Sequence, residues 1–160
     1  VSKVTEMDFM FAGSSFNQPL DNWDVSNVKY MQKMFREATS FDQALGSWNT
    51  AKVYSMDYMF RNATYFNQPL NNWDVSQVTD MEVMFYGALS FNQPLGSWDT
   101  ANVVEMDYMF YGAMSFNQPL NSWIVSKVTD MENMFRTTTF NQPLASWDVG
   151  NVIYMEDMFR

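Results

Sequence analysis

The sequence predicts an α/β solenoid in which each repeat of about 25 residues supplies one short parallel strand and one short helix, with about six coils in all. Three observations predict it. Trp23, Trp48, Trp73, Trp98 and Trp123 fall 25 residues apart, and Trp147 follows after 24. Before each Trp runs Phe-Asn-Gln-Pro-Leu, as in Phe66 to Leu70, which the second copy varies as Phe41-Asp42-Gln43-Ala44-Leu45. After each Trp come a Val, two Met and a Phe, as in Val78, Met81, Met84 and Phe85.

The helix is predicted from Val78, Met81, Met84, Phe85 and Ala88. At the helical turn angle these five lie in one arc about 120° wide, with Asp80, Val83 and Gly87 opposite. Thr79-Asp80-Met81-Glu82 has the form of a capping box, and Thr129-Asp130-Met131-Glu132 repeats it. A helix of roughly ten residues depends on packing for its stability. The strand is predicted from Trp73-Asp74-Val75-Ser76, where apolar and polar residues alternate, Trp and Val inward and Asp outward. The preceding Gln-Pro keeps a helix from running through.

Two one-residue deletions, between Phe11 and Phe16 and between Phe135 and Phe140, mark the stretch after the Met-Phe pair as a loop. A longer rhythm lies over the short one. Asn71 to Ser76 alternates with Gly96 to Ala101, as Asp21 to Ser26 does with Gly46 to Ala51, so a block of 50 residues is repeated. Residues 1–160 are read as a single tandem-repeat domain cut inside a unit at both ends, because Val1 to Thr5 matches Val125 to Thr129 and the chain stops at Met158-Phe159-Arg160. Ends without polar caps are suited to stacking end to end between molecules.

Composition narrows the function. Hydrophobic residues are 47% of the chain and charged residues 17%, which suits an ordered core. The formal charge is −9, from 18 acidic and 9 basic residues, which argues against nucleic acid and anionic lipid as partners. There is no Cys and no His, so disulfides, thiolate nucleophiles, imidazole bases and Cys/His zinc sites are excluded. No apolar run reaches the about 20 residues that cross a bilayer.

The pattern Val-Thr-x-Met-x-x-Met-Phe-x-x-Ala-x-x-Phe-Asn-Gln-Pro-Leu-x-x-Trp-Asp-Val-Ser resembles the repeat of about 25 residues found in bacterial surface proteins and widespread in mycoplasma lipoproteins. It is also similar to the BspA-type leucine-rich repeat, with Met-Phe where that family has Ala-Phe. The resemblance implies a right-handed, leucine-rich-repeat-like solenoid and a place on the bacterial cell surface or outside the cell.

The candidate ligand-binding residues are the outward strand positions Asp24, Asn49, Asp74, Asp99, Ile124 and Asp148. Stacked one coil apart, they form an acidic column whose like charges call for a cation or a basic partner. Ile124 interrupts it with an exposed apolar spot. The Met pairs are read as core filler, not soft-metal ligands, and no metal or cofactor is expected. The Trp column is read as buried, its indole N–H groups served by the repeated Asn and Gln. Those amides are read as a structural ladder. The carboxylate pairs Glu6/Asp8, Asp80/Glu82, Glu105/Asp107 and Asp130/Glu132 lack the cleft that a glycosidase needs, so no enzyme is expected. The expected function is a surface-displayed interaction or adhesion module whose partner is an extracellular protein or glycan. The alternative is a spacer with no ligand of its own.

Overall fold

The computed structural model describes residues 1–160. The repeats do stack: each coil meets the next through residues 24 or 25 apart. The helix and the strand predicted for each repeat are both absent. No helix forms, and the only β pairing is a file of isolated parallel bridges linking Glu6, Tyr30, Ser55, Asp80, Glu105, Asp130 and Tyr154 in turn. The α/β, leucine-rich-repeat-like class is therefore corrected. The chain is a stack of coils built almost wholly from β-turns.

The stretch predicted as helix shows how. In the second coil, Met34 N–H donates to Met31 C=O, Arg36 to Lys33 and Ala38 to Phe35, which closes three successive four-residue turns. The alternate donors point elsewhere. Met31, Lys33, Phe35 and Glu37 donate to the carbonyls of Ser55, Asp57, Met59 and Arg61 on the next coil. A helix would consume all of these groups internally; here every second N–H ties two coils together. The turns need left-handed residues at fixed places. Phe9, Lys33, Tyr58, Val83, Tyr108, Asn133 and Asp157 have φ between 52° and 59°. Four residues after the first six of these, Gly13, Glu37, Asn62, Gly87, Gly112 and Thr137 are left-handed too, with φ between 56° and 66°. Gly, Asn and Asp suit that conformation, and Gly would weaken a helix interior.

Spacing also excludes the helix. A helix is about 10–12 Å across, whereas paired backbones lie about 4.8 Å apart. Ring centroids one coil apart are 5.5–5.7 Å from each other down the Phe35-Phe60-Phe85-Phe110-Phe135-Phe159 file. They are 6.3–6.4 Å apart between Trp48 and Trp73 and between Trp123 and Trp147. With both sides of the coil so closely stacked, neither has room for helices. The predicted burial survives the change of backbone: Val78, Met81, Met84, Phe85 and Ala88 are all fully buried. Val83, placed opposite, is buried as well. Three linked turns return side chains to the interior at intervals of three and four, as a helix does.

The predicted capping boxes are side-chain turns instead. The Asp80 and Asp130 carboxylates accept the N–H of Glu82 and Glu132. The predicted strand keeps its facing, with Trp73 and Val75 buried and Asp74 exposed. It makes no ladder, because Trp73 N–H closes a turn onto Leu70 and Val78 N–H closes one onto Val75. Side chains join the coils here. The indole N–H groups of Trp48, Trp73, Trp98, Trp123 and Trp147 each donate to a Leu carbonyl of the preceding coil, as Trp98 does to Leu70 at 3.0 Å, and not to the amides first expected. The amides form their own ladder: Asn67 Oδ1 accepts both Asn92 N–H and Gln93 Nε2 at 3.0 Å. The two deletions each remove a turn residue, and the Ser14 and Thr138 hydroxyls take up the N–H of Phe16 and Phe140.

Far-UV circular dichroism of the chain is expected to lack the helical double minimum, which one helix per repeat would produce. Phe85→Ala removes a ring stacked on Phe60, Phe91 and Phe110. It should lower stability by about 3–5 kcal/mol in denaturant titration.

Candidate functional site

Side chains that stack by repeat make columns on the surface, and two long columns face outward. The first is the predicted one. Asp24, Asn49, Asp74, Asp99, Ile124 and Asp148 are all exposed, with Ile124 at 52%. Their side chains have a local task. Asp24, Asn49, Asp74, Asp99 and Asp148 each accept the N–H two residues on, at 3.0–3.2 Å. That hydrogen bond holds the turn after the Trp. The Ser26 and Ser76 hydrogen bonds keep the Asp24 and Asp74 carboxyls below their usual range. Ile124 cannot make this turn bond, and its N–H is taken by the Thr100 hydroxyl of the preceding coil. A cavity of about 200 Å³ beside it is bounded by Asn121, Ser146 and Asp148.

The second face was not anticipated as a site. It lies over the Met-x-x-Met turns, where the residue before the first Met, the residue after it and the left-handed residue make adjacent columns. The carboxylate pairs set aside earlier for want of a cleft stack here: Asp80 and Glu82, then Glu105 and Asp107, then Asp130 and Glu132. Oxygens of Glu105, Asp107 and Asp130 lie within 4.8 Å of one another. Three such oxygens fall short of the six to eight that calcium takes. Burial raises Asp107 to about 7, with Glu82, Asp130 and Glu105 adding repulsion. Asp80 is raised to about 6, again chiefly by burial.

Beside these carboxylates is the largest cavity of the chain, about 430 Å³, walled by Tyr58, Tyr86 and Tyr108 and floored by Val83. Glu82, Asp107, Arg36 and Arg61 also line it. The Tyr58 hydroxyl donates to Glu82 at 2.7 Å and the Tyr108 hydroxyl to Glu132 at 2.8 Å, which pushes both phenols up to about 12. Both guanidinium groups are held by Glu37 at 2.9 Å. Arg61 also lies over the Tyr86 ring, 5.3 Å from its centroid. The surface therefore offers aromatic walls, fixed acceptors and a concentration of negative charge. The signal for it was present in the sequence as acidic pairs at a 25-residue step, together with tyrosines at fixed offsets from Met. It becomes legible only when the repeats are laid in register and the turns turn those residues outward.

The coils and this face define a tandem-repeat protein with a nearly constant interior, in which Thr50 and Thr100 replace a buried Val, and variable outer columns. Residues 1–88 and 66–160 each match one family, described as Mycoplasma protein of unknown function, DUF285. The chain belongs to that family, and the overlapping matches are what a repeat array produces. No curated protein and no solved structure matches the chain.

Asp80 and Asp107, the two carboxyls raised furthest, hold their protons more tightly in the fold than when unfolded. They favour the fold below about pH 4, and that contribution is lost as pH rises through about 6 and about 7. Melting temperature should therefore fall between about pH 4 and about pH 7. Asp107→Asn should flatten that decline and raise stability at the alkaline end, as thermal unfolding across the pH series will read.

Proposed function

We infer that this chain is a non-enzymatic interaction module of a bacterial cell surface, binding an extracellular protein or glycan along an extended repeat face. One observation carries the reading. Over an unvarying Met-Phe core, the left-handed column changes from coil to coil, through Phe9, Lys33, Tyr58, Val83, Tyr108 and Asn133. Phe9 is exposed and Lys33, Tyr58 and Tyr108 are partly so, while Val83 and Asn133 are buried, so the column varies in relief as well as in chemistry. A rigid frame with variable side chains is how repeat proteins form recognition surfaces. The tyrosines and arginines of the large cavity are the residue types that dominate binding energy at protein contacts. The acidic column from Asp24 to Asp148 is a second contact surface in this reading, suited by charge to a basic partner. The kinship with surface-protein and BspA-type repeats belongs to the same proposal; it rests on the Met-Phe and Phe-Asn-Gln-Pro-Leu motifs and not on the backbone.

A spacer role is the second reading. The unbroken backbone ladder and ring files through all coils favour it, since they suit a stiff rod. Screening the chain against extracellular proteins and glycans separates the two. The binding reading expects saturable binding that Tyr86→Ala with Tyr108→Ala weakens roughly tenfold or more. Silence across the panel, or binding indifferent to those changes and to charge reversal at Asp24, Asp74, Asp99 and Asp148, supports the spacer.

A further inference from the structure

The chain contains a cation held in a cage, and the same cage recurs 50 residues on without its cation. Lys33 projects from the left-handed column with Phe9 on the coil before it and Tyr58 on the coil after it. Its ammonium lies 5.3 Å from the Phe9 ring centroid and 4.8 Å from that of Tyr58. Asp57 Oδ2 is 3.4 Å away. Two rings and a carboxylate surround one ammonium, an arrangement that favours alkylammonium ions.

Fifty residues on, the same three columns carry Tyr58 before, Tyr108 after and Asp107 for the acid. The residue equivalent to Lys33 is Val83. The large cavity sits over Val83, between those two tyrosines and beside that carboxylate. Two further exchanges go the same way: Gln32 becomes Glu82 and Ser55 becomes Glu105. Two glutamates gained and one lysine lost make this copy three units more negative. The charges acting on Asp107 are the carboxylates of Glu82, Asp130 and Glu105, all of which raise its proton affinity. The cavity's two arginines are both bound to Glu37.

The valine is itself anomalous. Val83 has φ 58° and is the one β-branched residue in its column. A β-branched side chain in the left-handed region is a conformational outlier. Lysine adopts that same conformation two coils away, so the backbone does not demand valine. Valine does keep the floor of the cavity short.

We propose that the cavity bounded by Tyr58, Val83, Tyr108 and Asp107 is a binding site for a primary alkylammonium group supplied from outside the chain. The group enters between the two tyrosine rings, as the Lys33 ammonium lies between Phe9 and Tyr58, and pairs with Asp107. Glu82, fixed by the Tyr58 hydroxyl, borders the same space. Two sources carry this chemistry: the lysine side chain of a partner protein and a free polyamine. The inference gives chemical content to the surface-binding reading and rests on it for the biological role, but the site stands on the cage alone.

The test is titration of the chain with n-butylammonium chloride at constant ionic strength, followed by the ring proton resonances of the tyrosines. Saturable shifts confined to Tyr58 and Tyr108 are expected, with none from n-butanol. Val83→Lys supplies the cage with its own ammonium and should abolish the response while raising thermal stability. Val83→Asn suits the left-handed backbone without adding charge and should keep the response, which guards against a general effect of changing residue 83. Asp107→Asn should weaken binding roughly tenfold or more. A response equal in Val83→Lys and the parent chain, one shared by butanol, or displacement by stoichiometric calcium would each overturn the site. A peptide with one internal lysine and spermidine, titrated separately, identify the source by whichever binds more tightly. If the amine binds as described and no extracellular partner is found, the site stands and the surface-binding role fails. If a partner binds the parent chain and Val83→Lys alike with no amine response, the role stands and the site falls.

Discussion

Everything in this molecule depends on a division of backbone donors. Along the Met-x-x-Met-Phe segment, successive N–H groups alternate between closing a turn on their own coil and reaching a carbonyl on the next. The first set gives each coil its shape, and the second fixes the separation of coils. Neither is stable alone. An isolated turn of this kind holds few hydrogen bonds and places non-glycine residues at positive φ, at about 1–2 kcal/mol each. The ladder to neighbouring coils, with the rings that stack beneath it, offsets that strain. Stability is therefore a property of the array and not of a unit.

The interior follows from that spacing. Once coils lie one backbone width apart, identical side chains at identical positions must stack on themselves. Flat rings do this well, and within a coil Phe60 and Phe66 also sit 4.1 Å apart. Methionine fills the gaps between rings because its unbranched thioether adapts to them. The polar residues that repeat without variation find partners in the same way: the indoles use leucine carbonyls, and the amides use each other. No buried polar side-chain atom lacks a hydrogen bond.

Much of this was legible in the sequence, and the limit is instructive. Repeat length, the inward set of Val, Met, Phe and Trp, and the structural role of the Asn-Gln pair can be read from periodicity and composition. The backbone that achieves them cannot. Residues such as Val78, Met81, Met84, Phe85 and Ala88 lie on one side of a helix and equally on one side of three linked turns. Gly87, Gly112 and Asn62, all left-handed, were the clue against the helix. Gly87 and its equivalents also sit where a helix would have needed a better helix former. The site was less legible for a related reason. Tyr58, Val83 and Tyr108 are 25 residues apart and become neighbours only through stacking, and Val83 was assigned to a helix face where its conformation carried no meaning.

The cage around Lys33, and its counterpart around Val83, draw their walls from three consecutive coils. Neither is encoded by any single repeat. Tandem DNA repeats gain and lose whole units by misaligned recombination, and each unit here can join any other through the same ladder. Loss of the unit that carries Val83 would leave a foldable chain in which Tyr58 and Tyr108 become direct neighbours. Gain of a unit bearing lysine at that position would close the gap with an internal charge. A lineage of such proteins can thus change what its surface accepts by altering copy number and order alone, with every codon of every unit left as it was.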